Sequence, residues 1–219
     1  MSLLQSMLSW VPSLLNGAKI TVSLTILSVS AGILLGLFLA LGKMSKIAPV
    51  HAVCAAYIFF FRGTPLLMQL YFIYYSLPQI HPTLTINNRF LAAFIAFALN
   101  CGAYAAELIR SAIQSIDRGQ FEASQALGLN YAKTMALIIV PQSIRRLIPP
   151  LGNEFIMVLK DASLVSIIAL TDITKVTKSL SSSTASPWPY VPAMIIYLII
   201  TAVFTLIFHR MERTFSSYE

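Results

Sequence analysis

The chain has 219 residues, of which 57% are hydrophobic and only 11% charged, against about 45–50% and about 25% in an average soluble domain. That is too little charged surface to cover a water-soluble globule, which excludes an ordinary cytosolic enzyme and a disordered or fibrous protein and points to an integral membrane protein of several spans. The net charge is +7, but its lysines and arginines stand singly at the ends of apolar runs, which suits topology signals at a bilayer surface and not nucleic-acid binding.

Residues 1–16 lack a basic leader region and a small-residue cleavage site, so they read as retained, forming a short interfacial helix with Trp10. A span needs about 20 mainly apolar residues. The first runs over 17–42 and carries Ser28, Gly32, Gly36 and Ala40, a ladder of small residues that lets a neighbouring helix approach closely. The second covers 50–77 and is interrupted by Arg62-Gly63-Thr64-Pro65. The third covers 90–113. A polar stretch follows over 117–149, within which 133–140 is apolar but too short to span. The fourth span, 150–170, contains Asn153, Glu154, Lys160 and Asp161. Residues 171–190, rich in Ser and Pro, read as an irregular loop, and 191–208 form the fifth span. The sequence predicts one all-α domain over 1–219 with five transmembrane helices and no internal repeat.

Orientation follows from the basic residues. Lys43, Lys46, Arg110, Arg118, Lys133, Arg145, Arg146, Arg210 and Arg213 gather on one side, and Lys19, Arg89, Lys175 and Lys178 on the other. The richer side is the inner one, so the N-terminus is outside and the C-terminus cytoplasmic.

No motif for hydrolysis or metal binding is visible: there is no H-E-x-x-H, no G-x-S-x-G and no Cys/His cluster. Cys54 and Cys101 stand in apolar surroundings and read as small buried hydrophobes. Gly36 to Lys43 has the wrong glycine spacing for a phosphate loop, and Met44 stands where Ser or Thr is needed. The sequence therefore predicts no catalytic residue, no metal ligand and no cofactor on this chain.

The polar residues at membrane depth are the candidates for function. Asn100, Tyr104, Glu107 and Ser111 recur at helical spacing and share one face of span three. Glu154 and Asp161 lie two turns apart on one stripe of span four, with Asn153 and Lys160 on the adjacent stripe. A carboxylate at this depth costs a few kcal/mol or more unless paired or solvated. Each one requires a cation, and two sources are open: a protein partner (Arg110 for Glu107, Lys160 of a neighbouring chain for Asp161) or a passing substrate. Arg62 and Pro65 read as architecture or gating, with the Arg satisfying carbonyls that the Pro kink frees. His51, His81 and His209 read as interfacial or surface residues.

Glu122-Ala123-Ser124-x-x-x-Gly128, followed after nine residues by Ile138-Ile139-Val140-Pro141, resembles the E-A-A loop of permease subunits of ABC importers. Phe61-Arg62-Gly63-Thr64-Pro65-Leu66-Leu67, Ala103-Tyr104-x-x-Glu107-x-x-Arg110, Ser115-Ile116-x-x-Gly119-Gln120, Pro141-Gln142-x-x-Arg145 and Leu159-Lys160-Asp161-x-Ser163-Leu164 are similar to segments of the polar amino-acid uptake branch. The resemblance covers about residues 14 to 213. Three residues depart from the family pattern: Ser124 for the second Ala, Val140 for Leu, and Ala162 for the Thr common after Lys-Asp. The last adjoins candidate substrate residues and bears on selectivity.

The resemblance implies a type I ABC importer permease fold in a bacterial plasma (inner) membrane. Residues 117–149 become a cytoplasmic coupling loop. In it Phe121, Ala123, Ala126 and Leu127 give an apolar ridge, Glu122 a polar handle and Gly128 the helix stop, docked in a groove of an ABC ATP-binding subunit that alone carries ATP. It further implies a second permease subunit, identical or paralogous, and an extracytoplasmic substrate-binding protein that delivers to outer loops such as 171–190. Asn100, Tyr104, Glu107, Lys160, Asp161 and Ser163 would line a mid-membrane site for a polar amino acid. The acidic side chains favour arginine, lysine or histidine over glutamine. The competing reading is a self-sufficient ion-coupled carrier or channel, which would transport without an ATPase partner.

Overall fold

The computed structural model describes residues 3–216, and within them every regular element is helical. Helix α1 runs unbroken over Leu3–Lys43 with Pro12 inside it. At 1.5 Å per residue it is roughly 60 Å long, well beyond the bilayer core. The expected separate interfacial helix is thus the first part of one long rod; Met1 and Ser2 lie outside the described residues. Its buried stripe, from Leu14 through Ala18, Thr21, Thr25, Ser28, Gly32 and Gly36 to Ala40, follows the ladder of small residues. Gly36 is needed for close approach: a Cβ there would sit 2.7 Å from the Ala105 Cβ and 2.9 Å from the Ala106 backbone nitrogen. The hydroxyls of Thr21 and Thr25 donate to carbonyls one turn back, Gly17 at 3.3 Å and Thr21 at 2.8 Å, which satisfies them inside an apolar interface.

After a short turn, α2 (Ala48–Gly63) ends at the Gly-Thr-Pro step. Thr64 and Pro65 are extended, at φ −116°, ψ 144° and φ −63°, ψ 134°. The residue before a proline avoids the helical region and the proline itself lacks a donor, so the chain turns here. The second arm comprises α3 (Leu66–Tyr71), a π-turn at Phe72–Ser76 and α4 (Leu77–Ile80), and it leaves at 101° to α2. The interrupted second span is a sharply broken one.

Helix α5 (Arg89–Gln114), capped by the Asn88 side chain, is the centre of the molecule. Its Ala92, Ala93, Ala96, Phe97, Ala103, Ala105 and Ala106 are buried, and α1, α2, α3 and α8 pack around it. Helix α6 (Arg118–Ala126) follows, capped by Asp117. Then α7 (Tyr131–Thr134), a π-turn at Met135–Ile139, α8 (Val140–Asp161) and a 3₁₀ segment over Ala162–Ile168 form one continuous helical path. Residues 133–140 therefore belong to the rod that carries span four and not to a separate loop. Prolines 141, 149 and 150 do not stop it, because π-type and terminal positions lack the hydrogen bond that an interior proline would break at the first of them.

Residues 171–190 are not an irregular loop either. Asp172 accepts from the amides of Thr174 (2.9 Å) and Lys175 (2.8 Å) and starts α9 (Ile173–Thr184). Ile173, Val176, Thr177 and Leu180 give α9 an inward face against α1 and α10. Finally α10 (Tyr190–Ser216) packs on α8 through Phe204 and Phe208 against Phe155 and leaves Leu198, Ile199, Val203 and Leu206 exposed, as a lipid-facing helix must. Helices α1, α5 and α10 are each long and apolar enough to cross a membrane, and the bent α2–α4 pair makes a fourth crossing if taken as one. The expected fourth span, 150–170, falls on the second half of α8 and the 3₁₀ segment: the 22 residues of α8 reach roughly 33 Å, but its charges leave it outside the helices apolar enough to cross.

Candidate functional site

The break between α2 and α3 leaves carbonyls without helical partners. Gln69, 6% exposed, donates from its amide nitrogen to the Phe61 carbonyl (3.0 Å), the Thr64 carbonyl (3.1 Å) and the Thr64 hydroxyl (2.8 Å). Asn100 on α5 donates to the same Phe61 carbonyl and to the Gln69 side-chain oxygen, both at 3.0 Å. The role expected of Arg62 is thus performed by Gln69 and Asn100. Gln69 was absent from the sequence-level candidates, although an amide one turn past Pro65 in an otherwise apolar run is the signal that marks it.

Thr64 and Asn100 of this clamp stand on one wall of a cavity of about 360 Å³, towards the small end of the range for small-molecule sites. Arg62, Thr64 and Pro65 line it from the break, Asn100 and Tyr104 from α5, and Glu154 and Asp161 from α8. Helical spacing brings these last two together, one above the other. Neither carboxylate has an ion-pair partner among the described residues. Glu154, left out of the candidate substrate set, is part of this cavity on the same stripe as Asp161.

Glu107 is placed differently. Its Oε1 accepts from Lys43 Nζ at 2.5 Å, and its Oε2 from Arg110 Nε at 3.1 Å and Nη2 at 2.7 Å. Arg62 Nη1 stands 3.9 Å away, and the Arg62 guanidinium lies over the Tyr104 ring, 5.4 Å from its centre. Glu107 therefore binds together the ends of α1, α2 and α5. Lys160 and Ser163 turn to the opposite side, where they line a groove of about 440 Å³ with Tyr197 and Thr201 of α10. Ala162, the departure beside them, is fully buried in the main core and lines neither cavity.

Helix α6 projects at the far end of the molecule. Ser124 is buried, donates to the Phe121 carbonyl at 2.8 Å and bonds the Thr134 hydroxyl at 3.0 Å. Phe121 packs inward against Ile109 and its neighbours in the core. Hence Phe121 is an anchor, whereas Glu122, Ala123, Ala126 and Leu127 are exposed, Leu127 by 80%. Gly128 at φ +77° closes the helix: its amide bonds the Gln125 carbonyl (2.9 Å) and the Leu129 amide the Ser124 carbonyl (3.0 Å), the paired arrangement of a left-handed glycine stop. Ser124 in place of alanine thus adds a bond that fastens α6 to α7. Among the described residues no group of His, Cys, Asp and Glu side chains is placed to hold a metal ion.

A bundle of apolar helices enclosing a polar, doubly acidic cavity, with a small apolar helix held out at one end, has the make-up of a membrane transport permease. Residues 32–217 match the family described as binding-protein-dependent transport system inner membrane component, and the chain belongs to that family. It is 40% identical over 212 residues to the L-cystine transport system permease protein TcyB of Bacillus subtilis (strain 168), covering 96% of this chain and 89% of that one. It is 35% identical over 208 residues to the arginine transport system permease protein ArtQ of the same organism, covering 94% of each. A crystal structure of an amino acid ABC transporter with histidines superposes with a TM-score of 0.90 at 41% identity, covering 96% of this chain and 97% of that one. The protein is the permease subunit of an amino-acid ABC importer, a multi-pass protein of the inner membrane. Its partners are an ABC ATPase, which carries out ATP hydrolysis as a separate subunit, and a binding protein.

Proposed function

We propose that this subunit passes a basic amino acid (arginine, lysine or histidine) through the cavity between the α2–α3 break, α5 and α8. The observation that carries the reading is the pair Glu154 and Asp161, two carboxylates facing one cavity with no salt-bridge partner among the described residues. At membrane depth such groups require a cation, and an α-amino acid with a basic side chain brings two. Asn100 and Tyr104 add a dipole and a ring to the same wall. Glu107 is saturated by its own cations and acts in holding the bundle. Lys160 and Ser163 serve the α10 side.

Two copies of the permease, identical or paralogous, form the pathway; the exposed ridge of Ala123, Ala126 and Leu127 with Glu122 seats in the ATPase, and the N-terminal end faces outside. ATP-driven closure of the ATPase moves α6 and alternates access. A second reading has a specific support: TcyB is named for cystine, whose second ammonium is balanced by a second carboxylate, so the branch contains carriers named for net-neutral as well as basic substrates.

The deciding experiment reconstitutes the complete transporter in proteoliposomes and measures ATP-dependent uptake with arginine, lysine, histidine, glutamine and cystine in competition. The basic set should compete, and Glu154→Gln and Asp161→Asn should each reduce uptake about tenfold or more, the size expected for one charge-assisted contact. Competition by cystine or glutamine alone would assign a neutral substrate. Uptake driven by an ion gradient without the ATPase would sink the ATP-coupled mechanism.

A further inference from the structure

Arg62 is the one cation among the described residues that line the cavity, and its one ion pair, with Glu107, leaves the hydrogen-bonding edge of the guanidinium unused. Both oxygens of Glu107 are already occupied by Lys43 and Arg110. Arg62 comes only to 3.9 Å of Oε2, too far for a hydrogen bond, and it donates none to any other described group. What holds it is the charge of Glu107 at that distance and the face of the Tyr104 ring, contacts that orient the guanidinium while leaving its edge donors unused. Its side chain is 43% exposed, towards the cavity that Glu154 and Asp161 also face.

A planar fork of unused donors fits a carboxylate in two-point contact. The cavity is therefore dipolar, with a cation at the α2 break and two anions on α8. Resting on the reading that this cavity holds the substrate, we infer that Arg62 is the residue that recognises the free α-carboxylate of the amino acid, so that the site reads the backbone of the substrate as well as its side chain. Glu154 and Asp161 take the positive groups, and Tyr104 keeps the Arg62 fork aimed. The substrate class this admits is the α-amino acid with a free carboxylate; decarboxylated amines and carboxamides of the same side chain are rejected at this step, independently of any selection by the binding protein.

The test uses the assembled permease–ATPase complex in nanodiscs, without the binding protein, and measures binding of L-arginine against agmatine and of L-cystine against cystamine, each pair differing only in carboxylates. The wild type should prefer the acid of its substrate pair by about tenfold to a hundredfold, the range expected when a charged hydrogen-bonded contact is lost. Arg62→Gln should bring that ratio close to one by weakening the acid and not the amine, and Arg62→Lys should keep part of it. Because the ratio is taken within one preparation, a smaller folded fraction leaves it unchanged. An Arg62→Gln ratio equal to that of the wild type overturns the inference, as does a wild type without preference. Normal arginine binding in Glu154→Gln and Asp161→Asn, with the ratio still collapsing in Arg62→Gln, refutes the proposed cationic half of the site and leaves the role of Arg62 standing.

Discussion

At the scale of single residues, Gln69 shows how a broken span is made tolerable in an apolar setting. The two amide hydrogens of Gln69, shared among the Phe61 and Thr64 carbonyls and the Thr64 hydroxyl, partner acceptors that the break frees. Gln69→Leu keeps the volume and removes every donor, and should destabilise the folded subunit by about 1–3 kcal/mol, the usual consequence of stranding buried acceptors. Thermal unfolding in detergent checks this, and an unchanged midpoint would mean that Pro65 alone holds the bend. Glu107 makes a second case. Glu107→Gln should lower stability by a similar amount, since Lys43, Arg62 and Arg110 then face one another without a counter-charge. Adding Lys43→Met should recover part of the loss, because one repelling cation is gone. A double variant no better than the single one would show that the cluster contributes through geometry and not charge. From the sequence, the candidate pairing of Glu107 with Arg110 was legible, because they are three residues apart on one helix. The contact with Lys43 was not, because it joins residues 64 apart and only the packing of α1 on α5 creates it.

At the scale of elements, apolar continuity made α1, α5 and α10 readable, and the small-residue ladder told which face of α1 another helix would approach. Composition misled where local and tertiary signals disagree. Residues 171–190 are serine-rich and read as a loop, yet Asp172 supplies two capping bonds and the 173, 176, 177 and 180 positions make an inward stripe; helix formation there follows from packing against α1. The 133–140 stretch is too short to span by itself, and the sequence did not show that a π-turn joins it to the long helix that follows. Helix α6 was legible as a motif, but the inward direction of Phe121 depends on the core beneath it. Its end point is a firm test: Gly128 has open space around it and φ +77°, so the effect of any substitution is conformational. Gly128→Ala should destabilise the turn by about 1–2 kcal/mol. Gly128→Pro, which cannot adopt positive φ and lacks the amide that bonds Gln125, should let the subunit insert but separate ATP hydrolysis from uptake. Transport per ATP measured in proteoliposomes decides this; an unchanged ratio would count against α6 as the contact to the ATPase.

At the scale of the whole molecule, the packing sorts the charges into two ends. Lys43 and Arg110 meet at Glu107, and Arg146 donates to the Ser115 carbonyl, which places the ends of α1 and α5 and the beginning of α8 together with α6. At the other end Arg89 reaches the Ala169 carbonyl, Lys178 the Ser166 hydroxyl, and Gly17 touches the Asp172 backbone. The topology expected from the sequence assigns nine basic residues to the first end and four to the second, and the rule that the side richer in Lys and Arg stays inside predicts that the first end is cytoplasmic. The proposed contacts of α6 with an ATPase and of α9 with a binding protein both require this orientation, so one measurement bears on both. In a background of Cys54→Ser and Cys101→Ala, a membrane-impermeant maleimide added to intact cells should modify Ser183→Cys and spare Lys46→Cys, with the pattern reversed in inverted vesicles. Modification of Lys46→Cys from outside would invert the molecule, put α6 on the side without ATP, and leave the Ala123–Leu127 ridge without the partner assigned to it.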